Sequence, residues 1–250
     1  MWDRTILKQN AKLALAGRKY RTAFLVCLID SLILGIFNIA GRFSSPAVNI
    51  FSADAVQQYE RTFSGRTSFW QVLMFIFVGL PLSVGVARFF VRNRFGRTEL
   101  ETMFSGFTEN YGRTVGGMFT TVGVVFLWSL LFIIPGIVKW MEYSMVRFIL
   151  SDNPALSGTR AREISRRMTQ GEKGAVFVLY LSFLGWYFLA GIVLTMFEWW
   201  LWPVSGVISC ATTALIAAYQ EATFAELYIF MRDRAIRTGA VTAEELGLAY

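Results

Sequence analysis

Few residues in this chain are equipped for chemistry, and their setting narrows what that chemistry is. Asp30 stands in the middle of the apolar run FLVCLIDSLILGIFN. An acidic group at the centre of a bilayer costs roughly 2.5 to 3.5 kcal/mol on insertion scales. Asp30 is therefore expected to face a bundle interior, protonated or paired. It marks either a proton or cation pathway or a bond to a neighbouring helix. Lys139 and Glu142 are three apart in IVKWMEYSMVRFIL, a spacing that sets them on one helical face where they partly neutralise one another. Lys139 also has the length to snorkel to the outer interface. Glu221, with Glu226, lies near the cytoplasmic end of the last apolar run, within reach of water, and is a candidate gate residue. Asp30, Lys139, Glu142 and Glu221 together form the candidate intramembrane polar site, with Asn38 and Gln220 as further polar positions in apolar runs.

Other chemistries are excluded by counting. The chain has no histidine, so imidazole bases, histidine metal ligands and histidine pH switches are absent. Its two cysteines, Cys27 and Cys210, sit inside apolar runs, where a thiol is inert packing, and no disulfide framework is implied. There is no G-x-S-x-G elbow, phosphate loop, H-E-x-x-H or C-x-x-C. The acids Asp54 and Glu60 of the outer loop read as solvated. No catalytic residue, cofactor or metal is expected.

The elements that must hold these residues follow from composition. Of 250 residues, 55% are hydrophobic and 16% charged, with 23 Phe. A soluble fold has about a quarter of its residues charged. The deficit implies a surface facing lipid, and the fold class is an all-α polytopic membrane helix bundle. A spanning helix needs about 20 mostly apolar residues. Runs of that kind lie at about 22–40, 69–91, 115–134, 175–196 and 204–230. Between the third and the 175–196 run lies 137–150, too short to cross untilted, after the turn-making pair Pro135 and Gly136.

Basic residues collect on the cytoplasmic side and decide whether 137–150 returns across the layer. With six segments, 20 of the 24 basic residues fall in or beside cytoplasmic stretches, and only Arg42, Arg61, Arg66 and Lys139 do not. Both termini are then cytoplasmic and the fourth segment is short, tilted or partly re-entrant. Trp70, Trp140, Trp199, Trp200 and Trp202 fall at the outer boundary on this reading. The basic leader reads as a retained anchor. Residues 1–231 form one transmembrane domain and 232–250 a cytoplasmic tail.

The inner connections are patterned as interfacial helices. In the leader, Trp2, Ile6, Leu13 and Ala16 fall near one face, away from Lys8, Lys12 and Lys19. Thr98 and Glu101 have the spacing of a capping box ahead of Leu100, Met103, Phe104, Phe107 and Tyr111. A further helix is predicted to start at Asn153 and Pro154 and to carry Arg160, Arg162, Arg166 and Arg167. These four arginines either satisfy the positive-inside rule or form a lipid-facing basic collar for anionic head groups or a cytosolic partner. Because the charges adjoin membrane anchors and no recognition motif accompanies them, nucleic acid is not an expected partner.

The last run carries small residues every fourth position at Gly206, Cys210, Ala214, Ala218 and Ala222. Such a ridge lets another helix approach closely, within the chain or at a homo-oligomer contact.

Several stretches in combination carry a resemblance. FLWSLLFIIPGIVKWMEYSM from Phe126 to Met145, LSDNPALSG, ISRRMTQGEK and VLYLSFLGWYFLA from Val178 to Ala190 resemble the bacterial multi-pass membrane family described as domain of unknown function 975. LKQNAKLAL in the leader, FSGF at Phe104 to Phe107 and AYQEATFAELY at Ala218 to Tyr228 fit the same family. The likeness runs to about residue 231 and omits residues 42–68 and the acidic tail around Glu244 and Glu245. It implies a bacterial cytoplasmic membrane protein and supplies no reaction or ligand.

Taken together, these features point to a non-enzymatic protein that moves or senses a small or amphipathic molecule, with a structural or regulatory partner role for another membrane protein as the alternative. An intramembrane enzyme would have to rest on Asp30 and isolated glutamates. A thiol label that cannot enter intact cells should fail to reach cysteines placed at either terminus or at Arg166. Labelling at any of the three overturns this topology.

Overall fold

The computed structural model describes residues 2–43, 71–96, 98–197 and 205–248. Among them it holds helices and no strand. Ten helices run in order: α1 Arg4–Ala14, α2 Arg18–Phe43, α3 Gln71–Phe95, α4 Ser105–Thr108, α5 Tyr111–Leu131, α6 Ile133–Glu142, α7 Val146–Asp152, α8 Gly158–Met168, α9 Lys173–Phe197 and α10 Ser205–Arg237. Three of them, Gln71–Phe95, Tyr111–Leu131 and Lys173–Met196, are long and apolar enough to cross a membrane. The outer loop with Asp54 and Glu60 lies outside the described residues, as do Trp70, Trp199, Trp200, Trp202 and the side chains of Asn38 and Arg42.

α10 and α3 are the central helices. α2 packs along α10, and α3 meets the 100–108 segment, α7 and α10. The core lies toward the end carrying the basic loops. There Leu82, Phe89, Met145, Phe148, Leu150, Ile164, Leu179 and Tyr228 are fully buried. Phe148 stacks on Tyr228 with ring centroids 5.4 Å apart, and Tyr180 meets Phe224 at 4.2 Å. The opposite end is bare. Leu130, Leu131, Phe132, Ile133 and Ile134, at the tip of the α5–α6 hairpin, are exposed, as are Phe188 and Met196 of α9. Apolar surface of this extent requires a nonaqueous partner.

Local chemistry departs from several sequence expectations. The turn before α6 is made by Phe132 in an extended conformation. Pro135 and Gly136 lie inside the first turn of α6, where proline is tolerated because its missing N–H has no partner there anyway. The 137–150 segment is two helices, α6 and α7, separated by turn residues 143–145. α8 begins at Gly158 with the Ser157 side chain accepting from the Arg160 amide, not at Asn153 and Pro154. Asn153 instead closes α7 and accepts from the Ala155 amide. The 100–108 segment opens as a 3-10 turn with Glu99 as its cap residue and no side-chain cap, so Thr98 and Glu101 make no capping box. In α1 the buried stripe is Leu7, Ala11 and Ala14, continued by Leu15, while Ile6 and Leu13 point outward. α1 packs onto α10 with its buried stripe and leaves Ile6 and Leu13 exposed on its other side. α10 continues to Arg237, past the expected boundary at residue 231, and the tail after it folds back with Val241 and Leu246 buried.

Two pairs of backbone contacts fix the inner helices. A Cβ on Gly85 would collide with the Met103 carbonyl, and one on Gly106 with the Pro81 carbonyl, so α3 and the 100–108 segment touch main chain to main chain. At a second crossing, a Cβ on Gly158 of α8 would collide with the Gly117 backbone of α5, and one on Gly117 would lie 3.2 Å from the Gly158 Cα. Gly85→Ala should therefore destabilise the protein by about 1–3 kcal/mol, the range for overpacking a tight site. Gly123→Ala, with open space at its Cβ inside α5, should not lower the unfolding temperature in detergent and should raise it slightly through the better helix propensity of alanine.

Candidate functional site

The break between α6 and α7 is the element that positions the site. Leaving helical geometry at residues 143–145 frees backbone groups in a buried setting, and α8 supplies their partners. Ser165 Oγ donates to the Glu142 carbonyl at 2.6 Å and accepts from the Met145 amide at 3.3 Å. Thr169 Oγ1 adds a donation to the same carbonyl at 3.4 Å. The chain then re-enters a helix with Arg147 in its first turn.

Arg147 Nη1 donates to Glu221 Oε1 at 2.9 Å. The two side chains are only 20% and 15% exposed. Glu221 Oε2 is buried without a hydrogen bond, and so is Oε1 of the adjacent Gln220. Asp30 of α2 stands within Coulombic reach of both Arg147 and Glu221. Tyr180 of α9 lies within the same reach of Arg147 and Glu221. Arg147 of the broken segment thus pairs with Glu221 of α10, and Asp30 of α2 shares their electrostatic neighbourhood without a salt bridge to Arg147 among the described residues. That set offers acceptor capacity in excess of its internal donors, which suits a proton or a cationic group.

Lys139 and Glu142 form a separate cluster. Lys139 Nζ meets Glu142 Oε2 at 2.6 Å, and Lys173 at the start of α9 takes the other carboxylate oxygen. Among the described residues nothing joins this pair to Asp30 or Glu221. Lys139 also lies over Trp128, 5.5 Å from the ring centroid. Trp140 stacks on Tyr180 at 4.7 Å, two turns from Lys173, which sets it toward the basic end rather than at the outer boundary expected for it.

The four arginines of α8 are largely engaged within the chain. Arg160 meets Glu245 at 2.5 Å and Glu163 at 2.7 Å, and Arg167 meets Glu163 at 2.6 Å. The hydrogen bond from Arg160, with the charges of Arg160 and Arg167, holds the Glu163 carboxyl below its usual range despite some desolvation. Arg162 donates to the Thr120 hydroxyl at 2.7 Å, and Arg166 is exposed. On the small-residue ridge, Cys210 Sγ approaches the Ser31 carbonyl at 3.7 Å, and a Cβ on Gly35 would lie 3.2 Å from that sulfur. Ala214 and Ala218 have no exposed surface and Ala222 little, so this ridge is covered within the chain. Gly206 is in α10, but its surroundings lie outside the described residues.

Sequence reasoning missed Arg147 and Ser165 as partners of the candidate acids. Arg147 counted with the cytoplasmic charges, although its position inside IVKWMEYSMVRFIL was itself a signal. It also missed a second buried polar group at the basic end, where Asp152 accepts from Tyr228 Oη at 2.7 Å and from Arg232 at 3.2 Å.

A family model described as "Protein of unknown function (DUF975)" matches residues 11–234. The chain belongs to that family. The match covers α2 through most of α10 and includes Asp30, Arg147, Ser165 and Glu221. No curated protein and no solved structure matches the chain.

Arg147→Gln should destabilise the protein by about 3–5 kcal/mol, because it leaves Glu221 buried beside Asp30 without its countercharge. The double variant Arg147→Gln, Glu221→Gln should recover most of that loss. Thermal melts of both in detergent read the difference.

Proposed function

We propose that this chain is a six-crossing integral protein of a bacterial cytoplasmic membrane, with both termini in the cytoplasm, that moves or senses a small or amphipathic molecule without catalysing a reaction. The crossings on this reading are α2, α3, α5, the broken α6–α7 pair, α9 and α10. At about 1.5 Å per residue, the 26 residues of α2 and 33 of α10 are long enough to join the three apolar spans. α6, with 10 residues, reaches only about half of a bilayer core.

The observation that carries the reading is the helix break with a charged group beside it. Discontinuous helices line substrate and ion sites in membrane transporters because their interrupted ends carry partial charges and unwound backbone into the layer. Here the break delivers Arg147 to Glu221, with Asp30 in electrostatic range of both. Two acids against one base favour a ligand with a positive charge, or a proton, over an anion.

Tetraphenylphosphonium, a lipophilic cation, is a direct probe. The purified full chain in detergent micelles should bind it in equilibrium dialysis, and Asp30→Asn or Glu221→Gln should weaken that binding at least tenfold on the scale of a lost buried charge pair. Lys139→Gln, in the separate cluster, should not. Equal binding by wild type and both acid variants would defeat the proposal and favour the partner role.

A further inference from the structure

On the face of α10 opposite the Cys210–Ala214–Ala218 ridge, α9 and α10 diverge into an apolar groove of about 420 Å³. Its walls are Trp186, Ala190 and Leu194 on one helix and Ile208, Thr212 and Ile216 on the other. Each wall is one helical stripe. Phe183 extends the first, at three, seven and eleven residues from Trp186, Ala190 and Leu194. Tyr219 extends the second, at three, seven and eleven residues from Ile216, Thr212 and Ile208. The two rings close the foot of the groove edge to face, with centroids 5.6 Å apart and planes at 67°.

α1 lies across this foot and brings cations to it. The Lys8 ammonium sits 4.8 Å from the Phe183 ring centroid and that of Lys12 6.0 Å from the Tyr219 centroid, while Tyr219 Oη donates to the Lys8 carbonyl at 3.4 Å. Arg4, Lys8 and Lys12 follow at intervals of four on one face of α1, an arrangement in which like charges repel. Among the described residues none of the three has a carboxylate partner. Burial, and then the charges of Arg4 and Lys12, push the Lys8 ammonium below its usual range. The α8 arginines differ, since Glu163 and Glu245 already answer Arg160 and Arg167.

We infer that this groove and the α1 cations form a binding site for one anionic phospholipid of the inner leaflet, its phosphate held by Lys8 and Lys12 and an acyl chain lying between α9 and α10. Groove and cations are continuous, and the order of parts matches the molecule: charge at the basic end of the fold, hydrocarbon toward its bare end. A zwitterionic lipid fits the groove equally well but brings its own cation to Lys8 and Lys12. A free phosphate fits the cations but leaves the groove empty. The site shares no residue with the Asp30–Arg147–Glu221 cluster, so it stands or falls apart from the proposed function.

The test uses the full chain in nanodiscs of equal parts phosphatidylglycerol and phosphatidylcholine, released for native mass spectrometry. Wild type should retain one phosphatidylglycerol in preference to phosphatidylcholine by about tenfold or more, given the attraction of each basic residue for anionic lipid. The substitutions Lys8→Gln and Lys12→Gln together should abolish the preference without changing helicity or elution volume. Ala190→Trp, which fills the groove and leaves the charges intact, should lower retention of both lipids. Arg166→Gln should change neither. The inference fails if the lysine double variant keeps the preference, if Ala190→Trp retains phosphatidylglycerol as wild type does, or if millimolar glycerol phosphate displaces the lipid, which would make the cations a free-phosphate site.

Discussion

Between Glu142 and Val146 the chain leaves helical geometry among buried neighbours, where a freed carbonyl or amide has no water to turn to and costs several kcal/mol if left alone. The hydroxyl of Ser165 answers this twice, donating to the Glu142 carbonyl and accepting from the Met145 amide. That one side chain requires α8 to be seated against the break, and it lets the segment turn at all. Everything nearby inherits the geometry: Glu142 is presented to Lys139 and Lys173, and Arg147, at the next helix start, to Glu221. A polar helix, α8, is thus a structural part of the site that α2, α7 and α10 form.

Packing is uneven along the molecule, and the unevenness has an electrostatic cause. At the basic end, Arg88 donates to the Ser151 carbonyl at 2.7 Å and pairs with Glu109 at 2.5 Å, Asp152 joins Tyr228 and Arg232, and Trp2 reaches Glu172 at 2.6 Å. Each of these joins distant parts of the chain, so charge pairing and aromatic stacking knit one end into a dense core. At the other end, α5, α6 and α9 present leucine, isoleucine and phenylalanine outward with few protein neighbours. Small residues, Ala214 and Ala218 on α10 and Gly85, Gly106 and Gly158 elsewhere, mark where helices do pack closely.

Much of the helical layout was legible because length and apolarity are physical requirements of a hydrocarbon layer. The 175–196 run lies within α9, the 22–40 run within α2, and the spacing of Lys139 and Glu142 is that of an ion pair on one helix. What escaped was whatever depends on distant partners. The outward placement of Ile6 and Leu13 has no periodic signature, because which apolar edge of α1 is buried depends on its packing against the distant α10. Ser157 rather than Asn153 caps α8, while Asn153 ends α7 with its Oδ1 accepting from the Ala155 amide and its Nδ2 donating to the distant Glu245 carbonyl at 2.9 Å. The convergence of Asp30, Arg147 and Glu221 joins residues far apart in sequence, and no local pattern announces it. The acidic tail, which lay outside the family resemblance, is docked by Arg160 and Asn153.

The crossing of Gly117 and Gly158 has a consequence for how this sequence can vary. Gly158 has no room for a methyl group, which would collide with the Gly117 main chain, whereas a methyl on Gly117 would press on the Gly158 Cα at 3.2 Å. Substituting Gly158 forces α5 and α8 apart, and the displaced α8 carries Ser165 away from the break. Gly158 is therefore the less replaceable of the two: a lineage that changes it must also re-space the helices or rebuild the turn, while Gly117 can vary where α8 yields by a few tenths of an ångström.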